Sequence, residues 1–182
     1  PLPGISNQDI PAHVRQAFEQ PLDMPPLRGL VDGNSKILIA FDDNCQPFPA
    51  TSPPDIRQVM IETLLEMLYS YGVEKKNIEL MCAVALHRKM KTHELAWMLG
   101  KRIMSAFYPH QLVNFDAEDP EDIVQVGVTD HGEPVETTRK VIDSDLVIYM
   151  DSIQIPLNGG HKSVADGMET YNSIAPHHAP QM

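Results

Sequence analysis

Cysteine is almost absent: Cys45 and Cys82 are the only two in 182 residues, and neither belongs to a Cys-x-x-Cys pair. That excludes a disulfide framework and a zinc ribbon, and points to a reducing cytoplasm. Basic residues are scarce as well. Fourteen Lys and Arg face 25 Asp and Glu, a formal net charge of -11, so the field of the chain repels a nucleic-acid backbone or an anionic membrane. No apolar run approaches the roughly 20 residues that cross a bilayer, and the start lacks the basic and apolar regions of a signal peptide. Aromatic residues are few, at 6%, yet 42% of the chain is hydrophobic and 21% charged, which suits one soluble globular domain.

Proline is unevenly spread. Pro1, Pro3, Pro11, Pro21, Pro25 and Pro26 crowd the start, where they remove donors and break helices. Residues 1–35 therefore read as an arm with one short helix over 12–19. Residues 36–182 read as an α/β domain. Lys36-Ile37-Leu38-Ile39-Ala40-Phe41 is a continuous apolar run, the pattern of a strand buried on both faces of a parallel sheet. A helix over 55–71 follows, with apolar residues recurring at three and four, and Gly72 as its stop. Residues 78–86 predict a second buried strand, and Thr92 is placed to N-cap a helix containing Leu95, Met98 and Leu99. Further strands are predicted at 112–115, 123–128 and 145–150, with Asp130-His131-Gly132-Glu133 as a hairpin turn. The fold class is thus α/β: a three-layer Rossmann-like domain with a mostly parallel sheet and one antiparallel excursion near 123–138. The chain opens at Pro1 without a methionine and closes at His177-His178-Ala179-Pro180-Gln181-Met182 without a terminal element, so it reads as one domain of a larger protein.

Ligands in such sheets bind at the carboxyl ends of the strands. That rule marks three clusters, at 42–49, 86–91 and 151–162, and a histidine pair near the end of the chain is a further candidate. His87-Arg88-Lys89-Met90-Lys91 sets three cations beside a histidine, the side chain that ordinarily titrates near neutral pH, and suits a small anion and proton transfer; a solvated basic turn is the plainer reading. In Asp42-Asp43-Asn44-Cys45-Gln46-Pro47-Phe48-Pro49, adjacent carboxylates point to different sides, so only one can face a cleft. Nothing local marks Cys45 as activated. Asn158-Gly159-Gly160-His161-Lys162-Ser163 frees backbone amides to approach a phosphate and adds a lysine amine, without Walker spacing. Histidines 177 and 178 are neighbours that seldom both reach one ion.

The order of these clusters resembles the N-terminal domain of the lactate racemase family, the nickel-pincer-nucleotide enzymes that racemise or epimerise 2-hydroxy acids. Asp42-Asp43-Asn44-Cys45-Gln46-Pro47-Phe48-Pro49 is similar to the family's Asp-x-x-Arg-Pro-x-Pro loop, and Ala85-Leu86-His87-Arg88-Lys89-Met90 to its Gly-x-His-Arg-Pro-Met. Asp145-Leu146-Val147-Ile148 and Gly159-Gly160-His161-Lys162-Ser163 continue the match. The resemblance implies a covalent link from Lys162 to the cofactor, nickel pyridinium-3,5-bisthiocarboxylic acid mononucleotide, with Gly159 and Gly160 beside it. It further implies His178 as a nickel ligand, His87 as the catalytic general base and Asp43 as a residue of the loop over the active site. Gln46 takes the place of a loop arginine and joins the expected substrate-binding residues. Arg88 joins them from composition, as a cation for the substrate carboxylate. The implied partners are a small 2-hydroxy acid and the cofactor-synthesis enzymes, and a second α/β domain is expected beyond this one.

Three positions depart from the family pattern. Besides Gln46 for arginine, the family's Glu-Pro-His after the last strand reads Gln154-Ile155-Pro156, and an Asn-His-Asp of many relatives reads Asn114-Phe115-Asp116. A racemase handles the hydroxyl proton of both enantiomers, so either His161 or His177 substitutes for the lost histidine or the stereochemical course differs. The rival reading is a non-catalytic small-anion or nucleotide-binding α/β domain that has lost the racemase chemistry.

Overall fold

The computed structural model describes residues 6, 8–44, 53–151 and 167–177. Its centre is β1 (Ile37–Asp42), in which Ile37, Leu38, Ile39, Ala40 and Phe41 are each no more than 1% exposed. Successive side chains of a strand point to opposite faces, so both faces of β1 are covered. Parallel neighbours flank it: β2 (Ile78–Ala83) in register Ile37↔Ile78, and β6 (Leu146–Met150) in register Ile37↔Leu146. The short β3 (Leu112–Asn114) pairs with β2, giving the order β3-β2-β1-β6.

Helix α2 (Ile56–Ser70) connects β1 to β2, and α3 (Thr92–Phe107) connects β2 to β3. Both crossovers step the same way across the sheet, and right-handed connections then put both helices on one face. The arm is not detached from this layer. Its helix α1 (Ile10–Glu19) packs on α2, Arg15 meets Glu66 at 2.8 Å, and Leu27 enters the main core. With α1 on one side and α3 on the other, α2 buries Arg57, Ile61 and Leu65 beyond the apolar stripe its periodicity marks.

From β3 the chain returns past β1 through the antiparallel pair β4 (Ile123–Val128) and β5 (Pro134–Thr138), a separate two-stranded sheet, and then α4 (Arg139–Ile142). The turn between β4 and β5 closes with Thr129 N–H donating to Glu133 O at 2.8 Å, with Gly132 at φ 83°. Lys140 of α4 bonds Glu79 of β2 at 2.5 Å, and α5 (Tyr171–His177) packs on β5. The α/β class with its antiparallel excursion is the architecture that the strand and helix patterns predict.

Two local readings change. The second strand ends at Ala83 rather than 86, because the chain turns: His87 N–H donates to Val84 O at 2.7 Å and Leu86 is 47% exposed. The cap of α3 is Lys91, one residue before Thr92, since Glu94 three positions on accepts from Lys91 N–H at 2.8 Å. This is the reach-back half of a capping box.

Helix α3 is interrupted at Gly100, whose φ of 71° and ψ of 168° lie where only glycine sits without strain. A Cβ there would also meet the Gln58 side-chain amide at 2.5 Å. Gly100→Ala is expected to destabilise the fold by about 2 kcal/mol in urea unfolding. Gly127→Ala, with nothing within 4 Å of the added atom, is the control, and an equal loss in both would refute the explanation.

Candidate functional site

The strand order reverses between β1 and β6, and in open α/β sheets the crevice beyond such a reversal is where ligands bind. The carboxyl ends of β1, β6 and β2 bring Asp42, Asp43, Asp151 and the turn 84–87 to this edge. Gly167 closes on it from the following segment. Ala85 N–H donates to its carbonyl at 3.0 Å, and a Cβ on Gly167 would stand 2.5 Å from Tyr149 Oη and 2.8 Å from Ala83 Cβ.

The adjacent carboxylates diverge as their spacing demands. Asp43, 7% exposed, places Oδ2 2.8 Å from Nδ1 of His87, whose ring is 50% exposed. An ionised carboxylate only accepts hydrogen bonds, so Nδ1–H is the donor and Nε2 keeps its lone pair. That is the tautomer a general base requires. Asp42 turns elsewhere, with Oδ2 3.8 Å from Arg57 Nη1 and a buried Oδ1 that meets no hydrogen-bond donor among the described residues. Burial pushes its carboxyl up to about 7 against the pull of Arg57, and the charges of Asp151 and Asp43 add to the rise. Near neutral pH the crevice therefore carries less negative charge than its three carboxylates suggest.

Arg57 is 4% exposed. Its Nε and Nη2 reach Asp55 Oδ1 and Oδ2, each at 2.9 Å, and Nη1 reaches the carbonyls of Asp42 at 3.2 Å and Asp43 at 2.6 Å. Burial works against the cation, but the Asp55 hydrogen bonds and the Asp42 and Asp55 charges outweigh it and raise its pKa. Asp55 also N-caps α2, accepting from Arg57 N–H at 2.9 Å.

The basic cluster after His87 is held from within. Arg88 makes a two-pronged pair with Glu94, at 2.8 and 2.6 Å, and Lys89 bonds Asp116. The Arg88 hydrogen bonds, with the Lys91 N–H behind them, hold the Glu94 carboxyl down at about 2. Asn114 clamps the same loop at two points, accepting from Met90 N–H at 2.8 Å and donating to Met90 O at 3.0 Å. A separate cleft of about 530 Å³ opens beside β3, lined in part by Lys89, Met90, Tyr108 and Lys140; Asp43 and His87 are not in its lining.

Of the residues singled out in the sequence, the fold brings Asp43 and His87 into contact and seats Arg88 on Glu94. Gln46, Gly159, Gly160, Lys162 and His178 lie outside the described residues, as do Cys45 and His161. Asn114 enters the sequence reading only within a motif that departs from the family pattern, and Arg57 and Asp55 do not enter it as parts of the site. The only available signal was an arginine two residues after a helix-capping aspartate, which reads as ordinary helix chemistry until β1 is placed against it. No group of three or more His, Cys, Asp or Glu among the described residues is arranged to hold a metal ion. No helix among them is long and apolar enough to cross a membrane.

A parallel sheet with a histidine–carboxylate pair at its topological switch defines the class: an α/β domain with a candidate acid–base site at the sheet edge where ligands of such folds bind. The chain belongs to the lactate racemase N-terminal domain family, whose model matches residues 4–182. It is 24% identical over 170 residues to a lactate racemase of Lactiplantibacillus plantarum, covering 91% of this chain and 38% of that protein. Its fold is similar to the lactate racemase apoprotein of Thermoanaerobacterium thermosaccharolyticum, with a TM-score of 0.75 at 22% identity over 97% of this chain and 40% of that one. A Thermotoga maritima crystal structure matches with a TM-score of 0.53 at 18% identity, over 80% of this chain and 33% of the other. The chain thus spans about two fifths or less of these relatives.

Ala85 stands where the family motif has glycine, and its φ is 46°. A residue with a Cβ is strained there, so Ala85→Gly is expected to stabilise the protein by about 0.5–1 kcal/mol in urea unfolding; a loss would contradict the left-handed turn. Asp42 makes a second prediction. Burial holds the proton on the folded carboxyl up to about pH 7, whereas an ordinary aspartate loses it near 3.8, so its contribution to stability falls as pH rises across that window and stays low above it. Asp42→Asn should therefore help more at pH 8 than at pH 5, by about 2 kcal/mol; a difference independent of pH in thermal unfolding would contradict the burial.

Proposed function

We propose that this chain is the cofactor-bearing part of a racemase or epimerase of a 2-hydroxy acid, acting by reversible hydride transfer with a covalently bound nickel-pincer nucleotide. One observation carries the reading: in a chain of this family, a histidine is held by a buried carboxylate in the tautomer of a base, at the edge of the sheet where nucleotides bind. Beside this edge the backbone of Gly167 packs against Tyr149 and Ala83 with no room for a Cβ. Lys162 would hold the cofactor covalently, Gly159 and Gly160 would lie against it, and His178 would ligate nickel.

When bound, the cofactor supplies the acceptor for the substrate's Cα hydride. The work of the chain itself is proton handling and orientation. His87 Nε2 takes the proton of the substrate hydroxyl as the carbon is oxidised, leaving a 2-keto acid, and gives it back when hydride returns. Asp43 holds the ring and stabilises the imidazolium that forms. Arg88 would face the substrate carboxylate, and Gln46 would bind the substrate from its loop. The cofactor-synthesis enzymes are the partners this chemistry requires.

The rival, an anion- or nucleotide-binding domain without turnover, draws on the same contacts: Arg88 and Lys89 are already paired within the protein. Two measurements separate them. Made together with the cofactor-synthesis enzymes, the protein is expected to gain mass on Lys162 and to carry stoichiometric nickel, and an unmodified Lys162 would overturn the proposal. His87→Ala is expected to lower turnover by about 10²–10⁴-fold while leaving that adduct in place; full activity in the variant would remove His87 as the base.

A further inference from the structure

We infer that Arg57 is a positioning residue for the proposed base: its buried guanidinium sets the backbone where β1 ends, and so aims the Asp43 carboxylate at His87 Nδ1. This rests on the reading of His87 as the base, and it adds a residue from α2 whose bonds run to the backbone of Asp42 and Asp43.

The geometry is that of a bracket. Ladder pairing of β1 with β2 stops at Asp42, so beyond it the strand's carbonyls need other donors. Nη1 of Arg57 serves both Asp42 O and Asp43 O, while Nε and Nη2 are taken up by Asp55. Asp55 is itself fixed as the N-cap of α2. The orientation of the Asp43 backbone is thereby tied to the start of a helix buried among α1, α3 and the sheet. Its side chain leaves the same Cα toward His87, 2.8 Å away.

Only a planar fork can do this. Lysine carries the same charge as a compact point and cannot reach two carboxylate oxygens and two carbonyls at once. A buried ion pair is moreover a weak device for stability, because both charges must be stripped of water. Its use is geometric: the guanidinium joins Asp55 to the two residues at the exit of β1.

The second fixed point lies on the His87 side. Asn114 holds the loop at Met90, and Ala85 N–H is tied to Gly167 O. With both the carboxylate and the ring anchored from behind, a small rotation at Asp43 would break the contact rather than be followed by the ring. The tautomer of His87 is therefore the quantity that reports on Arg57.

Nitrogen-15 NMR of the His87 ring in the full chain tests this without any turnover. The wild-type protein is expected to favour the Nδ1–H tautomer by about tenfold or more, the preference a charge-assisted hydrogen bond sustains. Asp43→Asn should erase that preference, and Arg57→Lys should reduce it to about threefold or less while the backbone amide spectrum stays native. An unchanged tautomer ratio in Arg57→Lys would overturn the inference. If Arg57→Lys does not fold, Asp55→Asn, which keeps an acceptor at the N-cap, replaces it with the same expected loss. Failure of both variants to fold would assign Arg57 to the fold and overturn its role toward the base. Failure of the racemase reading shows elsewhere, as an unmodified Lys162 or an active His87→Ala protein.

Discussion

Central burial of β1 is the constraint from which the rest of this domain follows. A strand with five consecutive side chains at 1% exposure or less needs a cover on each face and a hydrogen-bonded neighbour on each edge. Parallel neighbours require crossovers, and the two that run to β2 and β3 bring α2 and α3 to the same face. The return to β6 on the other edge then creates the reversal of strand order. The β1–β2 ladder ends at Asp42, and an arginine from α2 bonds the carbonyls of Asp42 and Asp43 there.

The polar cluster at that end is organised by divergence. Two adjacent carboxylates cannot share one environment, and here they take opposite roles. Asp43 stays hydrogen-bonded to an accessible imidazole, while Asp42 is pressed into the interior, with one oxygen lacking a donor among the described residues and its proton held up to about pH 7. The cations after His87 are likewise distributed inside the protein, Arg88 to Glu94 and Lys89 to Asp116. The crevice is thus neither the concentrated positive patch that a run of basic residues suggests nor the full negative charge that three carboxylates suggest.

Much of the scaffold was legible in one dimension. The apolar runs at 36–41, 78–86 and 145–150 marked the buried strands, because a parallel strand covered on both faces has no polar alternation to hide it. The hairpin at 123–138 announced itself through its turn residues. Boundaries were less legible where backbone geometry overrode hydrophobicity: Ala85 and Leu86 look like strand yet turn away, since the chain must leave the sheet to present His87. Gly100 gave no sign that it interrupts α3, because glycine inside an apolar helical pattern carries no instruction about φ until Gln58 is packed against it.

For the site, sequence alone determined the residue types and their place at strand ends: a histidine after β2, a pair of aspartates after β1, a family motif around each. Local periodicity and spacing suffice for that, because strand and turn are decided within a few residues. It did not determine which aspartate meets the histidine, that Arg88 is already engaged, or that Arg57 grips the exit of β1. Those contacts join residues 6 to 44 positions apart, and only the tertiary structure brings them within hydrogen-bond distance, where desolvation and directionality select one arrangement among those the sequence allows.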